Sequence, residues 1–264
     1  MPPEGPPTRS AHDGLRVLKV GGRPQADPAL GPAVLAAWSL APGRLVLVHG
    51  GGDELSQLMR AMGREPEFRG GRRVTAEADL DLVRMALSGL ANQRLVSRLA
   101  AARAVGISGE DDGLITATLA HDGALGRVGE PHATRPSLVH TLLATGHLPV
   151  VSPVARAAED GGAYNVNGDD AAAALAVGLN AIELVLVSDV PAVLDEGRPV
   201  SRLPASAARA MIADGRAAGG MAAKLEAALA AVTRGVPRVR IGNLHAINDP
   251  AAGTLVLADS GATP

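Results

Sequence analysis

The sequence predicts an α/β fold built on a mainly parallel sheet covered by helices. Three observations carry that expectation. Short apolar runs of four to six residues alternate along the chain with helical patterns. Two of these runs, VLKVGG and VLVHGGG, stop at glycines, as strands do where they turn toward a helix. At 264 residues and 47% hydrophobic, the chain can bury the core of one large α/β domain or two lobes.

Residues 15–20 read as the first strand, stopped by Gly21 and Gly22. A helix over 28–41 leads to a second strand over 45–48, stopped by His49, Gly50, Gly51 and Gly52. The helix over 53–62 opens with two acids, which suit the positive end of its dipole. Residues 64–75, rich in Gly and Arg, read as an ordered loop. A long helical pattern over 76–104 follows, and one face of so long a helix suits a partner subunit. Then come a strand at 105–107, a hairpin of 114–119 and 125–128 around His121-Asp122-Gly123, a helix over 136–145 and a strand over 147–154. An Ala-rich helix over 169–179 precedes the strand 182–187, helices near 205–214 and 221–234, and strands at 239–241 and 254–257. No repeat or low-complexity linker divides the chain. Two lobes would part near Leu179 and Asn180, giving 14–178 and 179–264, with 1–13 a Pro-rich disordered tail.

Composition excludes several functions. One Trp, one Tyr and one Phe cannot build a stacking platform for bases, and a net charge of −2 leaves no phosphate-backbone footprint. Nucleic acid is therefore not an expected partner. Without cysteine, disulfides, thiolate zinc sites and thiol catalysis are excluded. No apolar run approaches membrane-spanning length, and residues 1–13 lack the apolar segment of a signal peptide, so the expected location is the cytoplasm.

Only two of the 25 basic residues are lysine, Lys19 and Lys224, each beside a glycine turn. Lys is a compact point charge with three rotatable donors, whereas Arg is a wide planar fork. A phosphoryl group approached from either end by a small cation is one job for the former, and two lysines surviving a compositional bias explain the same count. The glycines after each strand can bring backbone N–H groups close to such an anion, although neither turn is a P-loop or a G-x-G-x-x-G motif. In YNVNGDD, Asn165 and Asn167 lie two apart in an extended segment and can address one ligand, with Asp169 next; an Asx-turn and helix cap explain the same residues. GGMAAKLEAA puts Lys224 near a helix start, and GGRRVT places paired arginines where a carboxylate could be held. The seven histidines have no metal-type spacing, and no Ser–His–Asp arrangement stands out.

Taken in order, VLKVGG, VLVHGGG, RGGRRVT, GLANQRLV, AVGISGEDDGLI, GHLPVVSPVA, YNVNGDDAAAALA, LVLVSDVPAVL and GGMAAKLEAAL resemble the amino-acid kinase family over residues 15–257. Within it they look most like the branch that phosphorylates N-acetyl-L-glutamate in arginine biosynthesis. The resemblance implies a three-layer αβα sandwich of the carbamate kinase-like type, with an N-terminal lobe that binds the acyl amino acid and dimerises, and a C-terminal lobe that binds ATP. It implies that Lys19 and Lys224 hold the transferring phosphoryl group, with N–H groups of Gly22 and Gly51, and that Asp169 orients the lysines. Gly51, Gly52, Arg73 and Asn165 would hold the acyl substrate. Gly21, Ser188 and Asp189 would lie with the lysines against ATP, with Mg²⁺ carried on its phosphates. Gly168 and Asp170 depart from the family's usual Ala and uncharged residue. The Pro-rich start does not resemble the extra helix of hexameric members, so a homodimer through residues 76–104 is expected. Two rival readings share these features: a kinase for aminoadipate or glutamate linked to a carrier protein in lysine biosynthesis, and a non-catalytic regulatory binder of amino acids or nucleotides.

Overall fold

Eight strands form the central sheet of the computed structural model, which describes residues 14–259; the expected tail over 1–13 lies outside them. From one edge to the other they run Arg202–Pro204, Thr254–Leu257, Arg238–Gly242, Glu183–Val187, Arg16–Val20, Leu45–His49, Pro149–Ser152 and Val105–Ser108. Every neighbouring pair is parallel except Arg238–Gly242 with Thr254–Leu257, so the two strands at that edge oppose the rest. The interior strands Arg16–Val20, Leu45–His49 and Glu183–Val187 are almost wholly buried, which explains their continuous apolar runs.

Strand order reverses around Arg16–Val20: the chain leaves it toward Leu45–His49 on one side and later returns to Glu183–Val187 on the other. Right-handed crossovers then place helices on both faces and open a crevice at the carboxyl ends of these strands. The register levels that rim. Val20 lies opposite both His49 and Val187, and Val187 lies opposite Gly242. Hence Gly21-Gly22, Gly50–Gly52, Ser188-Asp189 and Asn243 emerge side by side. The helix Gly168–Gly178 packs beneath the rim through Ala171–Ala176, whose small side chains let it lie close to the sheet and to the helix Gly219–Thr233.

Four expectations change in detail. The strand expected over 147–154 is cut at Pro153, which has no N–H to donate to a ladder. Its first part stays in the central sheet. Its continuation, Val154–Ala157, joins Ile115–Leu119, Val128–Thr134 and Ala163–Val166 in a small sheet that closes on itself. The hairpin forms, but its return strand is Val128–Thr134 rather than 125–128, after a tight stretch with His121 and Asp122 in left-handed conformation. The loop over 64–75 contains a ribbon, Phe68–Arg69 against Arg72–Arg73, turning through Gly70 and Gly71 at φ 56° and 76°. The long helix is a succession of segments: Leu80–Val83 is α, Arg84–Ala91 is π, and Asn92–Arg98 is α again. A π turn holds one more residue than an α turn, and this wider stretch presses Leu87 and Ala91 against Gly51. A side chain at Gly51 would put its Cβ 2.6 Å from Leu87 Cδ2, and its φ of 154° also favours glycine.

Candidate active site

The chain's two lysines meet on one carboxylate. Lys19, the fourth residue of its strand, reaches Asp169 Oδ1 at 3.0 Å, and Lys224 lies 3.1 Å from both oxygens of Asp169. All three side chains are at least 86% buried from solvent. Lys224 is the sixth residue of its helix, a turn deeper than its place after the glycines suggests. Asp169 is held there because Asn167 caps its helix, accepting from the backbone N–H of Asp169 at 2.8 Å and of Asp170 at 3.4 Å. Asn167 is thus the helix cap, and both Asn165 and Asn167 line the neighbouring cavity.

Burial works to raise the pKa of Asp169, but the charges and hydrogen bonds of Lys19 and Lys224 outweigh it and hold the group below the usual carboxylate range. Lys224 is pushed down, first by burial and then by Lys19, with Asp169 opposing. Two cations share one anion, so the cluster carries excess positive charge in a buried place. Such a site favours an incoming anion.

Beside the cluster lies a cavity of about 170 Å³, lined by Gly50–Gly52, Arg73, Leu87, Asn165 and Gly168 among others. Arg73 is fixed there: it donates to the Gly52 carbonyl at 2.8 Å and to Ser56 Oγ at 2.7 Å, and stacks 4.6 Å from the Phe68 ring centre. Asn165 donates to Thr75 Oγ1 at 2.9 Å. Gly51, Gly52, Arg73 and Asn165 therefore line one cavity. On the other side of the rim, a cavity of about 660 Å³ is lined by Arg23, Ser188, Asp189, Asn243 and His245. Asp189 pairs with Arg23 at 3.0 Å and accepts from Ser188 Oγ at 3.2 Å. Gly21 and Gly22 stand between the two cavities, following the strand that carries Lys19.

On the sequence alone, His49 is as plausibly structural as catalytic. It is fully buried, and its Nδ1 lies 2.5 Å from the Gly50 carbonyl while Nε2 faces the Asn92 side-chain amide at 3.0 Å. A carbonyl only accepts, so Nδ1 carries the hydrogen and Nε2 accepts from Asn92. Burial foremost, together with Lys19, lowers its pKa to about 4, so it stays neutral and props the glycine turn. Ser56 and Phe68 were not foreseen. No spacing marks Ser56, whereas the chain's one Phe beside four arginines was a visible signal for stacking.

The model of the Amino acid kinase family matches residues 14–243. The acetylglutamate kinase of Chloroflexus aurantiacus strain J-10-fl is 43% identical over 239 residues, covering 89% of this chain and 94% of that protein. The acetylglutamate kinase of Methanococcoides burtonii is 35% identical, covering 97% of this chain and 93% of its own. Among solved structures, smu.665 from Streptococcus mutans UA159 superposes with a TM-score of 0.81 at 28% identity, covering 93% of this chain and 99% of that one. Carbamate kinase from Giardia lamblia, at 16% identity, 94% and 100% coverage and a TM-score of 0.69, shares the fold.

Proposed function

This chain belongs to the amino acid kinase family, and we propose that it transfers the γ-phosphoryl group of ATP to the side-chain carboxylate of N-acetyl-L-glutamate. The observation that carries the reading is the buried carboxylate of Asp169 bridging the chain's two lysines beside a cavity too small for a drug-sized ligand. The substrate carboxylate is ionised at pH 7, since its ordinary pKa is about 4.3, and it needs no general base. One of its oxygens attacks the γ-phosphorus, the bond to the β–γ bridging oxygen breaks, and ADP leaves with that electron pair. The protein's task is to bring two anions together and to hold the spreading charge.

In this reading Lys19 and Lys224 grip the transferring group from the two sides, and Asp169 keeps their ammonium groups apart and aimed. Backbone N–H groups of Gly21, Gly22 and Gly51 complete the cradle. Arg73 binds the substrate's free α-carboxylate, and Asn165 and Gly52 address its acetamido end. Ser188 and Asp189 line the nucleotide side. Residues 14–178 thus hold the acyl substrate and 179–264 the nucleotide. Mg²⁺ would ride on the phosphate oxygens of ATP, because Asp169, the carboxylate buried at the clamp, is engaged by both lysines. When bound there it supplies further charge neutralisation. The reading also makes the protein a cytoplasmic homodimer joined through residues 76–104, where Met85 and Leu90 stand 59% and 42% exposed.

The test is acyl-phosphate formation trapped with hydroxylamine, with ATP and Mg²⁺, comparing N-acetyl-L-glutamate, glutamate and aminoadipate. Turnover of N-acetyl-L-glutamate alone supports the assignment. Silence on all three removes it.

A further inference from the structure

Arg72 is the other half of the arginine pair; it lines the same cavity as Arg73, but its guanidinium is bound to two carboxylates. Its Nη1 lies 2.6 Å from Asp170 Oδ2 and its Nη2 3.3 Å from Glu226 Oε2. These three residues sit on three different elements: the ribbon Phe68–Arg73, the helix Gly168–Gly178 and the helix Gly219–Thr233. Each is a close chain neighbour of a residue in the site. Arg72 precedes Arg73, Asp170 follows Asp169, and Glu226 stands two residues after Lys224. We propose that Arg72, Asp170 and Glu226 form a latch, positioning residues that hold the acyl pocket and the lysine clamp in register.

Burial and geometry favour this over an ordinary surface ion pair. Exposed pairs contribute little, but the side chains of Arg72 and Asp170 are each only 19% exposed. One planar guanidinium serves both carboxylates, a task that suits Arg's fork and not a lysine. The ribbon also runs close to the clamp helix: a side chain at Gly71 would put its Cβ 3.6 Å from Gly219 Cα, at the start of the Lys224 helix. Burial raises the pKa of Asp170, Asp169 and Glu226 add to that, and Arg72 is the group that opposes it. Without Arg72, the ribbon that presents Arg73 and the helix that presents Lys224 lose their shared anchor.

The inference rests on the phosphotransfer reading, so its experiment has one arm that needs no substrate. Hydrogen exchange on the free Arg72→Ala protein is expected to speed up together at residues 68–73 and 219–224; exchange unchanged in either segment overturns the latch. In the kinetic arm, Arg72→Ala should lower kcat/KM for N-acetyl-L-glutamate about tenfold, with KM for ATP within about twofold of wild type. The double variant Arg72→Ala/Asp170→Asn should be no worse than Arg72→Ala alone, and Arg72→Lys should recover part of the loss. Losses that multiply, or a single variant with wild-type kinetics, overturn it. Should Arg72→Ala fail to fold, Asp170→Asn gives the same two readouts, Asp170 being the buried partner. An inactive wild type would sink the functional assignment while exchange still judges the latch.

Discussion

Two buried carboxylates, Asp169 and Glu183, each hold cations at opposite ends of the same sheet, and they do so to different ends. Glu183 opens its strand beside Arg16, which opens the neighbouring one. It binds Arg16 Nε at 2.7 Å and Arg240 Nε at 2.9 Å. Three more donors of Arg240 go to the carbonyls of Ala246, Asp249 and Ala252 at 2.8–2.9 Å, and Arg16 reaches the carbonyl of Ile247 at 2.7 Å. Each guanidinium there is committed to the fold and straps residues 246–252 against the sheet. At the other end, Lys19 and Lys224 carry three donors each and direct them at one shared carboxylate. Capacity for an anion remains. Arginines bound to backbone carbonyls make a strut, whereas two lysines on one carboxylate keep the charge that the proposed phosphoryl clamp needs.

The largest effect should come from making the clamp resemble the strut. Lys19→Arg or Lys224→Arg is expected to cut kcat about 10³-fold, as read by hydroxylamine trapping, with the urea midpoint close to wild type. Near-normal kcat in both variants would erase the distinction. The converse change is Arg240→Ala, which leaves Glu183 buried beside a weakened partner set. It should cost about 3 kcal/mol in urea unfolding while the folded fraction keeps its kcat. A proportionate loss of kcat in the folded fraction would mean that the strut also takes part in the chemistry.

A third prediction concerns pH. His49 has a folded pKa of about 4 against an unfolded value of 6.5, so between those values the unfolded chain binds a proton that the folded chain refuses. Stability therefore rises with pH through that window and falls as the solution is acidified. Between pH 7 and 5 the loss attributable to His49 should be about 2 kcal/mol. The same titration on His49→Gln should lack that component; an identical slope would mean that His49 is not the neutral prop described. The smallest effect is expected at Arg73→Lys, which keeps the charge but loses the fork: KM for N-acetyl-L-glutamate should rise about tenfold, or about 1.4 kcal/mol, with kcat little changed. An unaltered KM would move the substrate's α-carboxylate elsewhere.

Much of this contrast could be read from the chain alone. The two lysines, the glycine-stopped strands and Asp169 are local signals, because each marks a change of backbone direction or a scarce residue type. Arginine partners were not legible. Glu183 stands inside the strand expected at 182–187, and only its three-dimensional neighbours reveal a buried ion there. Asp170 was visible as an odd second carboxylate, but its pairing with Arg72 spans 98 positions of sequence. The closed four-stranded sheet escaped notice because its strands are short and one begins just past Pro153, so their alternation is weak. Spacing alone could not say which of Asn165 and Asn167 is the cap, since both suit one; the start of the helix at Gly168 makes it Asn167.

The π stretch Arg84–Ala91 bears on where the chain can change length. In an α-helix, removing one residue turns everything beyond it by about 100°. Within Leu80–Val83 such a deletion would swing Asn92 away from His49. A π stretch already holds the one residue that an α-helix would omit. A single deletion inside 84–91 can therefore relax it to α and leave the flanking turns in place, drawing Leu87 back from Gly51. Insertions and deletions at this one point would resize the wall of the cavity that Leu87 lines while sparing the rest of the scaffold.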